Sequence, residues 1–434
     1  MHFFLAKVET PRKENDMNEK ALYCVIDLKS FYASCECAAR GLDHFKTPLV
    51  VCDPTRGPST IVMSSTPYLK ANYKIPNVCR RRDLPHLEDM IYAQPRMAYY
   101  IEMSSRVVSI FMDHVAEEDI HVYSIDESFL NIGPYLSLAK QTPEEFVHEI
   151  QKQIYEELGL TATAGIGPNM FLAKIALDNE GKKRPPYIAH WTEKDVPTKL
   201  WSISPITEIW GISRGTEAHL KRIGIRSMKE LAHCDRGFLE EEFGVMGLQL
   251  HDLANGIDRT DIRQKYIPKE SNLSIGQTLS KDYSISGAKL LLREMCDDLA
   301  LRMRSHQKKA NVVSLFVGYS AATGGGFSRQ KKLEKPSDDN DTLYRTILEI
   351  FDAFIEPFPI RNLGISFGKL SDIASAEQLD LFEPYSLTLE KRKLNRTLDE
   401  IKRRYGQNAC LRSSCLLPDS TIIERHGQIG GHKA

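Results

Sequence analysis

The sequence predicts an α+β fold of several domains, and three observations carry that reading. Short apolar runs of strand character alternate with helical periodicity through residues 21–190. The composition then shifts after about Pro186, and a polar stretch at 259–272 reads as a linker. A second alternating unit occupies 273–375, after which the chain turns polar.

The first strand is the apolar run 22–26, which ends at Asp27, and 31–40 reads as a helix. Residues 48–52 form a second short apolar strand, 53–59 are turn-rich, 61–63 give a third strand, and a helix begins near Tyr68. Helical periodicity covers 97–117. Residues 122–132 read as a β-hairpin with Asp126 and Glu127 near its turn. Helix, strand, helix follow at 143–158, 161–166 and 170–179, which suggests a sheet with helices on one face. The stretch 209–225 reads as helix, glycine turn, helix, with Gly211 to Ser213 as the turn. In the second unit, helices are expected at 287–306 and 343–354, strands at 312–317 and near 363–367, and a glycine-rich turn at 324–326. No internal repeat is present.

Composition excludes several classes. The 434 residues are 42% hydrophobic with a formal net charge of −1, so the chain builds real cores and is not compositionally disordered. The nine cysteines are scattered, odd in number and lack a C-x-x-C pair, which points to reduced thiols in a cytoplasmic protein rather than a disulfide framework or zinc site. No apolar run approaches the roughly 20 residues that span a bilayer, so no membrane partner is expected. Residues 1–20 carry a short apolar patch and mixed charge, too little for a signal-peptide core, and read as a disordered leader.

The chemistry centres on carboxylates. Asp27 ends a buried strand, where an unpaired carboxylate is costly, although Asp is also a common helix cap. Asp126 and Glu127 are adjacent between strand-like segments. On a straight strand they would point to opposite faces, so both reach one ion only if the strand bends. Together the three offer hard oxygen ligands of the kind that a pair of Mg²⁺ ions takes up alongside substrate phosphates.

Here the sequence resembles a family. Asp27-Leu28-Lys29-Ser30-Phe31-Tyr32-Ala33-Ser34-Cys35-Glu36 resembles the first motif of the Y-family, translesion DNA polymerases, and 31–36 looks especially like the UmuC type. Ser124-Ile125-Asp126-Glu127-Ser128 is similar to the central motif. Residues 161–167 with Leu172-Ala173-Lys174-Ile175-Ala176 are similar to the third block. The resemblance covers about 21–385 and implies a right-hand polymerase. The palm would be 21–31 and 93–190, the fingers 32–92, a helix-hairpin-helix thumb 191–258, the little finger 273–375, and a tail 376–434.

The resemblance also implies roles. Asp27, Asp126 and Glu127 would hold two Mg²⁺ ions, with the Leu28 carbonyl as a further ligand. Tyr32 would be the steric gate beneath the sugar. Ser65 and Tyr68 would bond the triphosphate of the dNTP. The family's basic residue three positions after that tyrosine is Ala71 here, with Lys70 and Lys74 as substitutes. The third block should end in a phosphate-contacting lysine. The register slips by one, and Lys182 is preferred within Gly181-Lys182-Lys183-Arg184.

Primer–template DNA would be held by backbone groups at Gly211 and Ser213 and by a basic concentration in the second unit. That concentration comprises Arg302, Arg304, Lys308, Lys309, Arg329, Lys331 and Lys332. Gln378-Leu379-Asp380-Leu381-Phe382 resembles the bacterial sliding-clamp motif. No exonuclease segment is evident, so no proofreading is expected, and the need for an accessory subunit stays open. Two alternatives share part of the pattern: another palm-type enzyme such as a nucleotidyl cyclase, and a catalytically silent DNA-binding factor. The basic second unit and clamp motif argue against the first, and the intact carboxylates against the second.

Overall fold

A computed structural model describes residues 21–264, 268, 270–373 and 385–434, with the backbone alone at 385–389. The expected leader and the Gln378 to Phe382 motif lie outside the described residues. The chain divides into two compact units, Met1–Tyr266 and Ile267–Ala434, so the division falls within the stretch expected to be a linker.

The first unit begins with β1 (Tyr23–Leu28) and α1 (Phe31–Ala38). A small sheet follows, in which β2 (Leu49–Val51) lies between β4 (Ser64–Ser65) and β6 (Ile91–Ala93), while β3 (Ile61–Val62) pairs with β5 (Cys79–Arg80). Between them α2 (Pro67–Tyr73) starts on a proline whose missing N–H costs nothing in the first turn. Next come α3 (Met97–His114), the hairpin of β7 (Ile120–Val122) and β8 (Glu127–Asn131), then α4 (Gly133–Ala139) and α5 (Pro143–Leu158). Helix α5 opens on a capping box from Thr142 and Glu145. Last in this part are β9 (Ala162–Gly167), α6 (Met170–Ala176) and β10 (Ile188–His190).

The main sheet runs β10-β9-β1-β8-β7. Alternation along β1 sends Cys24, Ile26 and Leu28 into one core with Phe111 of α3 and Ile150 and Ile154 of α5. Tyr23 and Val25 point the other way, packing with Phe129 and with Met170, Ala173 and Leu177 beside α6. The expectation of helices on one face is therefore corrected: the second face carries α6, and Ile262 packs there too. Ile262 belongs to a segment expected to be a free polar linker. Its neighbours are pinned, because Asp258 accepts from the Phe171 N–H at 3.1 Å and Arg263 forks onto Asp119 at 2.7 and 2.8 Å.

Four helices complete the unit: α7 (Arg214–Arg222), α8 (Met228–His233), α9 (Arg236–Phe243) and α10 (Val245–Ala254). Their starts are capped by Ser213, Ser227 and Asp235 for the first three. The turn at Gly211 is preceded only by a single tight turn at Ile206–Glu208, not by an α-helix. The glycines that join α-helices here are Gly224, at φ 89° between α7 and α8, and Gly244, at φ 62° between α9 and α10.

In the second unit, β11 (Leu273–Tyr283), α11 (Ile285–Ser305), β12 (Lys308–Tyr319), β13 (Gly326–Ser337), α12 (Asn340–Phe354) and β14 (Ile360–Gly368) build a sheet ordered β11-β14-β12-β13. Val313, Leu315 and Val317 face α11 and α12. The sequence reading missed β11 and β13, whose inner positions are too interrupted by polar residues to show an apolar run. The polar tail is also corrected from Tyr385 onward. Helix α13 (Tyr385–Tyr405) and the chain after it fold onto this unit, tied by Asp399 to Arg304, Arg412 to Asp297 and Arg425 to Asp298.

Candidate active site

Asp27 and Glu127 are direct register partners across β1 and β8, and alternation puts both side chains on the α6 side of the sheet. Asp126 sits in the bend just before β8. The N–H groups of Tyr123 and Ser124 both donate to the Glu127 carbonyl, at 3.0 Å each, while the Asp126 carbonyl accepts from Leu28 N–H at 2.9 Å. This is the break in straight-strand geometry that two adjacent carboxylates need to serve one site. The Ser124 hydroxyl donates to Asp126 Oδ1 at 2.7 Å and orients it.

Cations come from α6 and the turn after it. Helix α6 lies directly on β9: a Cβ at Gly165 would stand 2.1 Å from the Ala173 carbonyl. That close approach carries Lys174 to 2.9 Å from Glu127. Lys182 stands 3.0 Å from Asp27 and 2.9 Å from Asp178, and Lys174 lies 3.2 Å from Asp178. Burial pushes the Asp27 carboxyl up, and the Lys182 charge pulls it part of the way back. Burial likewise raises Glu127 against the pull of Lys174. Burial works to lower Lys182, but Asp27 and Asp178 outweigh it and hold the ammonium above the usual lysine range.

Lys174 and Asp178 are site residues that the motifs alone do not single out. The signal available was the i, i+4 spacing of Lys174, Asp178 and Lys182, which places a carboxylate within reach of two lysines.

The carboxylates suit a divalent cation. Glu127 is 8% exposed and both of its oxygens lie 2.9 Å from the Lys174 ammonium, so it is a buried anion whose one cationic partner a metal ion could share or displace. Among the described residues no three His, Cys, Asp or Glu side chains close round one ion. Mg²⁺ is commonly bound through one or two carboxylates plus substrate phosphates, and Asp27 and Glu127 are the register pair that could supply them.

Tyr32 is half-buried on α1, its ring 4.7 Å from that of Tyr100 and within the field of Asp126. Lys70 on α2 feels Asp27 and Asp126, and burial lowers its ammonium. Lys74 ends α2 in a left-handed conformation and is exposed, so Lys70 is the lysine turned toward the carboxylates. Ser65 is buried on β4, and Tyr68 lies in the first turn of α2. Glu36, also overlooked as a distinct feature, is fully buried. It accepts a fork from Arg96 at 2.8 and 3.0 Å and the Tyr100 hydroxyl at 2.8 Å, and pairs with Arg40. Trp210, beside Gly211, donates to the Tyr123 hydroxyl at 3.3 Å and packs on Phe129, next to the carboxylate bend.

The basic residues of the second unit separate by environment. Arg304 is 6% exposed and committed to Asp399, Asn340 and the Asp338 carbonyl, and Lys309 is 3% exposed. These two are corrected: an interior cation cannot meet a phosphate. Lys308 pairs with Asp372 at 2.6 Å. Arg329 and Lys331 lie opposite Leu315 and Val313, hence on the helix side, where Arg329 stacks on Phe354 and Lys331 pairs with Glu349. Lys332 lies opposite Val312 on the other side of the sheet, and it and Arg302 are exposed. Among the described residues no helix is long and apolar enough to cross a membrane.

Comparison with known proteins accords with this geometry. Residues 26–178 match the model of the impB/mucB/samB family, and 270–381 match that of the impB/mucB/samB family C-terminal domain. The chain is 36% identical to the putative UV-damage repair protein UvrX of Bacillus subtilis, across 96% of this chain and 98% of that protein. It is 31% identical to DNA polymerase IV 2 of the same organism, across 96% and 99%. A Y-family DNA polymerase chimera of Dbh and Dpo4 shares the fold, with a TM-score of 0.62 at 20% identity over 80% of this chain and 98% of that one. The chain belongs to the impB/mucB/samB family, the Y family of DNA polymerases.

Proposed function

We propose that this protein is a template-directed DNA polymerase that extends a primer in error-prone translesion synthesis and DNA repair. The observation that carries the reading is the pairing of Asp27 with Glu127 at one end of the sheet, with Asp126 in the backbone bend just before Glu127, in a chain of this family. The family implies dependence on a divalent metal, generally Mg²⁺. Two ions are proposed here, held by Asp27, Asp126, Glu127 and the Leu28 carbonyl. When bound they neutralise charge at the attacking and leaving oxygens.

The chain's own residues position the reactants. The primer 3′-hydroxyl attacks the α-phosphate of a paired dNTP, the bond to the β-phosphate oxygen breaks, and pyrophosphate leaves. Lys182 and Lys70 offer charge to the triphosphate, with Ser65 and Tyr68 hydroxyls beside it. Tyr32 blocks a sugar 2′-hydroxyl. The second unit, through Arg302 and Lys332, and the turn at Gly211 and Ser213 hold the duplex backbone. The Gln378 to Phe382 segment is proposed to recruit a bacterial sliding clamp.

Primer extension on a defined template, with and without Mg²⁺, tests the reading. Extension that requires template, dNTP and Mg²⁺ is expected. Retained DNA binding with no extension under any metal would leave a silent binding factor instead.

A further inference from the structure

We propose that Asp178 is a positioning residue that holds Lys182 toward the incoming triphosphate, and that the widened turn at Leu177–Gly181 makes this possible. The inference rests on the reading of Lys182 as the triphosphate lysine.

After α6 the chain does not continue as α-helix. The Lys182 N–H donates to the Leu177 carbonyl five residues back, at 3.0 Å, which is a π turn. A π turn takes up one residue more than an α turn. Its close seat on the sheet depends on Gly181, where a Cβ would lie 2.3 Å from the Ala164 carbonyl. From this turn Lys182 reaches Asp27 at 3.0 Å.

Lys182 has two carboxylate partners of different kinds. Asp27 belongs to the set proposed to hold metal, so that attraction is redirected whenever a cation binds there. Asp178 does not belong to that set. It stands 2.9 Å from Lys182 and 3.2 Å from Lys174, and Lys174 in turn is fixed on Glu127 at 2.9 Å. Asp178 is thus the partner that remains when Asp27 turns to a metal. It limits where the Lys182 ammonium can swing, and an ammonium already held beside the site loses less freedom on binding a phosphate.

The test uses the full chain with primer–template ending in a dideoxynucleotide, so that dNTP affinity is read with Ca²⁺ and no turnover. Steady-state KM and kcat are measured on extendable primer. Lys182→Ala and Asp178→Asn are each expected to weaken dNTP binding about tenfold, the scale of one charge-assisted contact. For Asp178→Asn the loss should appear in KM more than in kcat, with primer–template affinity unchanged, and Asp178→Glu should recover most of it. Wild-type dNTP affinity in Asp178→Asn, with Lys182→Ala weakened, overturns this inference and leaves the reading of Lys182 standing. Wild-type affinity in Lys182→Ala overturns that reading and the inference together. A parallel loss of dNTP affinity, primer–template affinity and thermal stability in Asp178→Asn, without recovery by Asp178→Glu, makes Asp178 a structural residue and overturns the proposal.

Discussion

Lys182 places its ammonium 3.0 Å from Asp27, a carboxylate that is the register partner of Glu127, and Glu127 is itself covered by Lys174 at 2.9 Å. Two anions facing each other across a strand pair, Glu127 buried and Asp27 partly so, repel, and each lysine removes one part of that cost. A divalent cation competes for the same oxygens. The site is therefore a set of carboxylates whose counter-charges can be exchanged, and its chemistry depends on that exchange.

Asp126→Asn removes an anionic ligand without changing side-chain volume. Loss of several kcal/mol of charge stabilisation in the transition state corresponds to a fall in extension rate of more than about a hundredfold. Binding of primer–template, read by fluorescence anisotropy, should persist. An Asp126→Asn protein that extends primers at the wild-type rate would remove Asp126 from the metal site.

Tyr32 packs on Tyr100 with ring centroids 4.7 Å apart, so it is held rather than free to rotate aside. Tyr32→Ala should admit ribonucleotides at least about tenfold better relative to deoxynucleotides, since a steric barrier of even ~1.4 kcal/mol is a factor of ten. The measurement is the ratio of kcat/KM for paired ribo- and deoxynucleotides. An unchanged ratio would make Tyr32 a packing residue alone.

Glu36 supplies a pH dependence whose sign is set by its partners. Burial by itself would raise its carboxyl, but hydrogen bonds from Arg96, Arg40 and Tyr100 outweigh that and hold it below the usual glutamate range. The folded value lies below the unfolded value of about 4.3, so the stabilisation is fully present above that pH and is lost as pH falls through the folded value. Glu36→Ala leaves Arg96 and Tyr100 without their partner and should cost about 3 kcal/mol at neutral pH. Urea unfolding at pH 7 and at pH 3 should show the difference between wild type and variant shrinking in acid. A difference independent of pH would mean that the carboxylate charge contributes nothing.

Arg304 and Lys332 should part company on DNA. Arg304→Ala strands Asp399 and removes a buried fork, so thermal stability should fall by about 3 kcal/mol while the salt dependence of DNA binding stays near that of the wild type. Lys332→Ala should leave stability unchanged and lower the slope of log affinity against log salt by about one. The reverse pattern would put Arg304 at the DNA and Lys332 away from it.

The proposed clamp segment has its own test. Leu381→Ala with Phe382→Ala should leave basal extension intact and abolish stimulation by a bacterial clamp loaded on DNA. Each apolar side chain buried in a partner contributes about 1.5–3 kcal/mol before ordering costs, so the free contact is weak and acts by tethering. Equal stimulation of variant and wild type would take this role from the segment.

The sequence alone determined where the acidic groups fall, because strand signals are local. Val25-Ile26-Asp27 is an apolar run that stops at a carboxylate, and Asp126-Glu127 interrupts a hairpin. Alternation then assigns faces without knowledge of any partner. The two alternating units were legible for the same reason, whereas β11 and β13 were not, since their polar residues hide the period. Tertiary structure decided the fate of each charge. Arg304 and Lys332 are equivalent in a charge count. Yet Arg304 is buried because Asp399, 95 residues away, and Asn340 converge on it, whereas Lys332 stays exposed on the side of the sheet away from the helices. Lys174 reaches Glu127 only because Gly165 lets a helix lie on a strand. Whether a charge binds a ligand or stabilises a core depends on its solvation and its partners. Those are set by contacts between residues far apart in the chain, and no local pattern encodes them.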